Sequence, residues 1–356
     1  MIGLHMITLC RRIALALLAA ASLCLPSLRA DDLYSFTKEI RIGGEGGWDY
    51  LSIDAPSRRL YVSHATKVIV IDTDKDEVVG QITGTQGVHG IAIASPLHRG
   101  FSSNGRENNV SVIDLGTLKT MMKVNTGENP DCIIFEPGRQ EVYAFNGRGS
   151  SATVIDAASA KVVATIPLPG KPEFAAADPN ISRVFCNIED KNEVVSIDTM
   201  KHQIANTWPI APGKEASGMA IDTAHQRLFI GCHNKLMEML DCADGRVLAT
   251  VPITPGVDAN SFDPVTGLAF ASCGDGMTTI ARMDGPNKLT VAQSLSTRRG
   301  ARTMALDPST HKIYLATTDY ESQEDQPEGT PAKRPRMIPN TFKVLVYGLN
   351  AAAAKQ

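Results

Sequence analysis

Short apolar runs ending on an aspartate recur along the chain. They read Val68-Ile69-Val70-Ile71-Asp72, Val110-Ser111-Val112-Ile113-Asp114, Ala152-Thr153-Val154-Ile155-Asp156 and Val194-Val195-Ser196-Ile197-Asp198, then Met239-Leu240-Asp241 and Arg282-Met283-Asp284. Successive aspartates stand 42, 42, 42, 43 and 43 residues apart. A second series keeps step with the first: Asp54, Ser95-Pro96, Glu136-Pro137, Asp178-Pro179, Asp222, Asp263-Pro264 and Asp307-Pro308, at intervals of 41, 41, 42, 44, 41 and 44. Two registers held in phase over such a distance are an internal repeat, which overrides any domain count read from length.

Each unit contains four β-branched or alternating runs separated by turn residues, with no helical period. In the third unit these are Cys132–Phe135, Val142–Phe145, Ala152–Ile155 and Lys161–Ile166. Asp-Pro suits a tight turn because proline presets the backbone angle and the aspartate bonds back to the chain. Four antiparallel strands per unit predict a propeller blade, and seven turn anchors predict an all-β, seven-bladed β-propeller. The last unit runs Ala301–Ala305, Ile313–Thr317 and Phe342–Tyr347 and then stops one strand short. The missing strand is predicted at the N-terminus, in Glu39-Ile40-Arg41-Ile42-Gly43-Gly44, so that first and last segments share a blade and leave no open edge.

The runs Leu60-Tyr61-Val62-Ser63 and Val142-Tyr143-Ala144-Phe145-Asn146, each followed by an Ile-Asp turn, resemble the YVTN-repeat, YncE-like family of secreted seven-bladed propellers. The resemblance covers the mature chain and implies its fold. It implies no single activity, since such folds host lactonases, lyases, electron-transfer subunits and binding proteins alike.

The first thirty residues stand outside the repeat. Arg11 and Arg12 precede the apolar run 13–25, and Ser27-Leu28-Arg29-Ala30 comes before Asp31-Asp32, which is the pattern of a secretory signal peptide. Leu28 and Arg29 fit the cut site imperfectly, and Cys24 offers a lipoprotein alternative that the bulky Leu23 disfavours. The expected organisation is a signal peptide over 1–30, one propeller over 31–348 and a tail over 349–356. No later run is long and apolar enough for a membrane helix, so a periplasmic or secreted monomer is expected.

Charge and cysteine content narrow the partners. The full chain carries 35 Lys+Arg and 38 Asp+Glu. Loss of Arg11, Arg12 and Arg29 with the leader leaves 32 basic residues against 38 acidic ones, a net of −6. That sign argues against nucleic acid, whose binding rests on Lys and Arg neutralising phosphates. Cys132, Cys186, Cys232, Cys242 and Cys273 remain, an odd number and no disulfide framework. Cys132 and Cys186 sit in apolar strands, Cys232 and Cys273 fall in neighbouring blades where a bridge must meet strict distance limits, and Cys242 suggests no role.

In such a blade both turn ladders face one way. The other face receives the approaches to the first strands and the loops between second and third strands. Five residues before each turn anchor stand Asp49, Gly90, Asp131, Glu173, Ser217, Asp258 and Arg302, with Trp48 and His89 one residue earlier. The loops add His64, Asn104 and Arg106, Asn146 and Arg148, Glu189 and Asp190, His233 and Asn234. First strands line the channel, so these side chains are expected to ring its mouth as a ligand pocket. Solvated carboxylates and plain Asn-Gly turns are the competing reading of the same residues. Arg106 and Arg148 exceed what a turn requires and suit an anionic group, while Trp48 suits stacking on a sugar or aromatic ligand. Asp131, Glu173 and Asp258 are candidate ligands for Ca²⁺ or Mg²⁺; Zn²⁺ would need His89 or His64.

From Asp284 to Gly348 the chain has 64 residues, about 22 more than one repeat. The surplus, between Asp319 and Thr341, includes Lys333-Arg334-Pro335-Arg336 and almost nothing apolar. A mobile loop over the mouth is expected, as a lid, a partner arm or plain disorder. Two functions fit the whole. One is an exported binding protein for a small polar or anionic ligand or a partner chain. The other is a metal-assisted lactonase, hydrolase or lyase in which His89 or His64, or Glu173, moves the proton and Arg106 or Arg148 clamps the substrate. No Gly-x-Ser-x-Gly or His-Glu-x-x-His motif supports a serine hydrolase or a zincin.

Overall fold

The computed structural model describes residues 32–321 and 335–350; the expected signal peptide, the middle of the insertion and residues 351–356 lie outside the described residues. The described chain forms seven four-stranded antiparallel sheets. Their first strands are Trp48–Asp54, Val88–Ala94, Pro130–Glu136, Pro172–Asp178, Ala216–Asp222, Val257–Asp263 and Met304–Asp307, numbered here as blades 1 to 7. Among the described residues the only helical pieces are the 3₁₀ turns Ser95–Leu97 and Glu189–Lys191, and no helix is long and apolar enough to cross a membrane.

Burial explains the pattern of the runs. Second and third strands have a neighbouring blade on both faces, so Leu60, Tyr61, Val62, Val68, Val70 and Ile71 are fully buried without alternation. Outer strands have one covered face and alternate, burying Ile82, Val124 and Ile166 while exposing Val78, Met121 and Val163. The core lies between blades: Leu60, Val62, Ile69 and Ile71 of blade 1 pack on Tyr314, Val344 and Val346 of blade 7. Each such side chain contributes about 1.5–3 kcal/mol on burial, so the blades stabilise one another.

Both aspartate ladders are turn-makers. Asp72 Oδ1 accepts the N–H groups of Asp74 and Lys75 at 3.0 Å each, and Asp156 Oδ1 accepts that of Ser159 at 2.6 Å. On the other ladder Glu136 takes the N–H groups of Gly138 and Arg139 at 2.7 and 2.8 Å, and Asp178, Asp222, Asp263 and Asp307 do the same for their own turns. Those backbone bonds hold the Asp72 carboxyl below its ordinary pKa. Polar contacts on this face then tie blade to blade: the Arg58–Asp307 ion pair at 2.6 Å, and the rings of His311 and His202 on Asp263 and Glu141 at 2.7 and 2.9 Å.

The ring closes as expected, but from an earlier stretch of chain. The strand that completes blade 7 is Tyr34–Arg41, antiparallel to Lys343–Leu349, not 39–44. Gly43 and Gly44 have φ of +73° and +85°, and the N–H groups of Ile42 and Gly43 both turn to the Phe342 carbonyl. The glycines therefore bend the chain towards blade 1 instead of extending the strand. The last strand runs to Leu349, one residue past the expected boundary at 348. Tyr34 anchors the closure: its hydroxyl donates to the His311 carbonyl at 2.8 Å, its ring meets Phe270 edge-on at 5.2 Å, and Gln293 bonds both its N–H and its carbonyl. The outer parts of the insertion are held, by an antiparallel bridge between Tyr320 and Met337 and by Lys343 on Asp319 at 2.8 Å. Tyr34→Ala is expected to cost about 3–5 kcal/mol, the range for deleting a buried aromatic ring, measured as a lower midpoint in urea unfolding.

Candidate functional site

In blades 1 to 6 the first strand carries one extra residue where it meets the channel mouth. Its pairing slips between Trp48 and Leu51, Val88 and Ile91, Pro130 and Ile133, Pro172 and Ala175, Ala216 and Met219, and Val257 and Ala259. Residues 49–50, 89–90, 131–132, 173–174, 217–218 and 258 are thereby freed from the second strand. Such a bulge re-aims its side chains away from the sheet. Polar residues of the second strands pin the freed backbone. Ser63 Oγ accepts the Asp49 N–H at 2.9 Å, and Ser103 Oγ accepts the Gly90 N–H at 3.1 Å while donating to the Asp131 carbonyl at 2.6 Å. Asn187 donates to the carbonyls of Ser217 and Gly218 at 2.9 and 3.2 Å.

The bulges also correct the register in blade 2. Its first strand ends at Ala94, one residue before Ser95, so His89 and not Gly90 occupies the column of Asp49, Asp131, Glu173, Ser217 and Asp258. The shift comes from the Ser95–Leu97 3₁₀ turn, which replaces the Asp-Pro turn there. Gly90 instead stands beside Tyr50, whose Cβ is 3.3 Å from where a Gly90 side chain would begin.

These side chains converge. His89 Nδ1 lies 2.7 Å from Asp49 Oδ2 and 3.4 Å from Asp131 Oδ1. Lys171 Nζ lies 2.9 Å from Glu173 Oε2 and also pairs with Glu189. Arg302 Nη1 lies 3.1 Å from Asp258 Oδ1, and His233 Nε2 is 3.7 Å from Glu189 Oε1. Below them Tyr50 crosses from blade 1 to blade 4, where its hydroxyl donates to the Glu173 carbonyl at 3.2 Å and its ring meets Phe174 at 5.1 Å. The mouth is a charged cup with an aromatic floor.

Removal from water sets the protonation of this cup. Burial, then the neighbouring negative charges, pushes Asp49, Asp131 and Asp258 above the usual carboxylate range, and carries Glu173 up to about 7. Burial opposes the charge on His89, yet the Asp49 hydrogen bond and the fields of Asp131 and Asp49 raise it to about 9. Lys171 is likewise held above its ordinary value against burial, by Glu189 and Glu173. For Asp258 burial is the main cause of the rise and Arg302 opposes it, with smaller raising contributions from Asp131 in blade 3 and Glu189 in blade 4.

Other expected site residues lie elsewhere. His64 is fully buried, stacked on Phe342 at 4.1 Å, with neither ring nitrogen hydrogen-bonded; burial first, then Lys67, lowers its pKa to about 4. It packs blade 1 against blade 7 and does not reach the cup. Asn104 and Asn146 are also fully buried, donating to Asn109 and Ser111 at 2.8 Å each and to Ser151 and Thr153 at 3.0 and 3.1 Å. The glycines after them leave room for the ring: a side chain on Gly105 would begin 2.7 Å from His89 Nε2. Arg106 and Arg148 are exposed on the rim, without an ion pair among the described residues. The Trp48 indole N–H donates to the Arg302 carbonyl and its ring packs on Phe342 at 5.3 Å, joining blades 1 and 7. The five cysteines are buried free thiols, Cys232 and Cys273 included.

Sequence reasoning missed Tyr50 and Lys171. The column one residue past the ring reads Tyr50, Gly90, Cys132, Phe174, Gly218, Ala259 and Thr303. Two aromatic rings among small residues are the signal of a filled channel. Of the expected Asp131, Glu173 and Asp258, only Asp131 belongs, among the described residues, to a group close enough to hold a metal ion, in which Asp49, His89 and Asp131 each bring a ligand atom within 4.8 Å of the others. Glu173 and Asp258 are instead occupied by Lys171 and Arg302.

No family model matches this chain, and no curated protein matches it. Among solved structures it is similar to a chain of hydrazine synthase from Kuenenia stuttgartiensis. That likeness has a TM-score of 0.66 at 16% identity and covers 76% of this chain and 92% of that one. It shows the propeller fold alone.

The raised Glu173 makes a signed prediction. A carboxyl whose pKa is about 4.5 unfolded and about 7 folded favours the folded state at acid pH, and that contribution is lost as pH rises through this window. Glu173→Gln removes the dependence. Its stability relative to wild type is expected to rise by on the order of 3 kcal/mol between pH 4.5 and pH 7.5, read from urea unfolding at several pH values.

Proposed function

We propose that the chain is an exported, YVTN-repeat, YncE-like propeller that binds a small polar ligand by a cationic group at the channel mouth. The observation that carries this reading is the charge of the cup. Asp49, Asp131, Glu173, Glu189 and Asp258 are met by three basic groups, His89, Lys171 and Arg302, with the His233 ring 3.7 Å from Glu189. Burial and mutual repulsion disfavour the ionised form of Asp49, Asp131, Glu173 and Asp258. A bound cation relieves that repulsion, returns their pKa values towards the ordinary range and expels protons. The Tyr50–Phe174 pair closes the floor beneath these hydrogen-bonded side chains.

A second reading is favoured by the Asp49, His89 and Asp131 cluster. Those three residues would hold a divalent cation, whose chemistry is to polarise a carbonyl for hydrolysis or elimination. His89 would then be a ligand and not a base, and Glu173, with its pKa near 7, would be the group able to move a proton.

Thermal-shift screening of small amines, neutral polyols, carboxylates, Ca²⁺ and Mg²⁺ tests both readings. Compounds bearing a cationic group are expected to stabilise the protein and to release protons, seen as a binding enthalpy that varies with the buffer. Asp131→Asn and Asp258→Asn should weaken them by about tenfold or more. Stabilisation by carboxylates alone, unchanged in these variants, contradicts the first reading; a divalent-cation response abolished in His89→Gln supports the second.

A further inference from the structure

A cavity of about 380 Å³ opens beside the carboxylate cup, lined by Gly274, Arg299, Gly300, Arg302, Tyr320, Pro335 and Met337. Its volume falls in the range of small-molecule sites. Its chemistry is opposite to that of the cup. Arg302 is shared: one nitrogen rests on Asp258 Oδ1 at 3.1 Å, while its stem runs over Gly274, 3.4 Å from where a side chain there would begin. A guanidinium has five N–H donors, so most of the fork is left for another acceptor. Arg299 lies on the same wall and forms no ion pair among the described residues. Tyr320 brings its hydroxyl against the Gly300 backbone, where any side chain would begin only 2.3 Å from that oxygen, and Arg299 and Arg302 both act on the phenol. Met337 and Pro335 supply an apolar wall.

Two opposite poles thus abut at the Asp258–Arg302 pair. A ligand bearing both an ammonium and a carboxylate can address both poles at once, its ammonium towards Asp258 and the cup and its carboxylate towards Arg302, Arg299 and the Tyr320 hydroxyl. Bidentate binding of a carboxylate by arginine is the geometry the guanidinium fork is built for. A cation without a carboxylate would leave the arginine pole unused, and a lone anion would face the desolvated acids. We propose that the ligand is a zwitterion of the free α-amino acid class, with its side chain against Met337 and Pro335.

This assignment rests on the cation-binding reading above and refines it. The test uses L-phenylalanine, phenethylamine, which lacks the carboxylate, and 3-phenylpropionate, which lacks the ammonium, titrated calorimetrically into wild type, Arg299→Ala and Asp258→Asn. L-Phenylalanine is expected to bind at least about tenfold more tightly than either analogue. Arg299→Ala should erase its advantage over phenethylamine and leave phenethylamine unchanged; Asp258→Asn should weaken both. Phenethylamine binding as tightly as the amino acid, with no effect of Arg299→Ala, overturns the zwitterion assignment and leaves the cation reading standing. Binding of 3-phenylpropionate alone overturns both. Failure of all three to bind at millimolar concentration also overturns the assignment, while the amine and metal screen decides the underlying reading separately.

Discussion

The candidate site depends on one extra residue in the innermost strand of six of the seven blades. Without it, the first strand would pair with the second to its end, and the residues in the ring column would alternate between neighbouring blades. With it, the chain bulges at the channel mouth, and side chains from six blades turn into a common volume. A bulge frees backbone groups that must find partners when buried. Ser63, Ser103 and Asn187 provide them, the last two reaching the neighbouring blade. The residues that fix the cup are therefore small polar side chains one strand behind it.

Bringing acids together in this way has an electrostatic consequence. A solvated Asp or Glu tolerates like-charged neighbours because water screens them; in the cup that screening is reduced. Asp49, Asp131, Glu173 and Asp258 all resist ionisation, while His89 and Lys171 cling to their protons. The arginine side of the mouth, around Arg302, is the counterweight. An arrangement of this kind is costly for a protein that only needs to close a ring, since the turn ladders and inter-blade core on the opposite face already do so. Perturbed ionisable groups clustered in this way mark a candidate site.

Much of the architecture was legible because the repeat is enforced by backbone chemistry. Every turn needs an acceptor two or three residues before its N–H groups, and Asp72, Asp156 and Glu136 meet that need at a fixed interval. Departures from the rule were harder to read. Blade 2 has a 3₁₀ turn at Ser95, so counting five back from that anchor lands on Gly90, one residue past His89, which stands in the ring. The closing strand was placed about five residues late because Ile42-Gly43-Gly44 continues the apolar alternation while its glycines turn. Asn104 and Asn146 look like loop-tip ligands, yet their amides serve Ser111 and Thr153 on the adjoining strand, a pairing between strands that local sequence does not display. Tyr50 matters through a contact with blade 4 across the channel, and Lys171 through a partner in the second-to-third-strand loop of its own blade, neither of which a linear pattern carries.

Ionisable groups from separate blades meet at His89, so its titration reports on the whole cluster. Its ring protons, followed by NMR across a pH titration, should show a midpoint near 9. Asp49→Asn and Asp131→Asn should each move that midpoint down, towards or below the ordinary histidine value of about 6.5. A wild-type midpoint at or below the ordinary value, unmoved by either substitution, would mean that the carboxylates do not meet at His89 and would contradict the account.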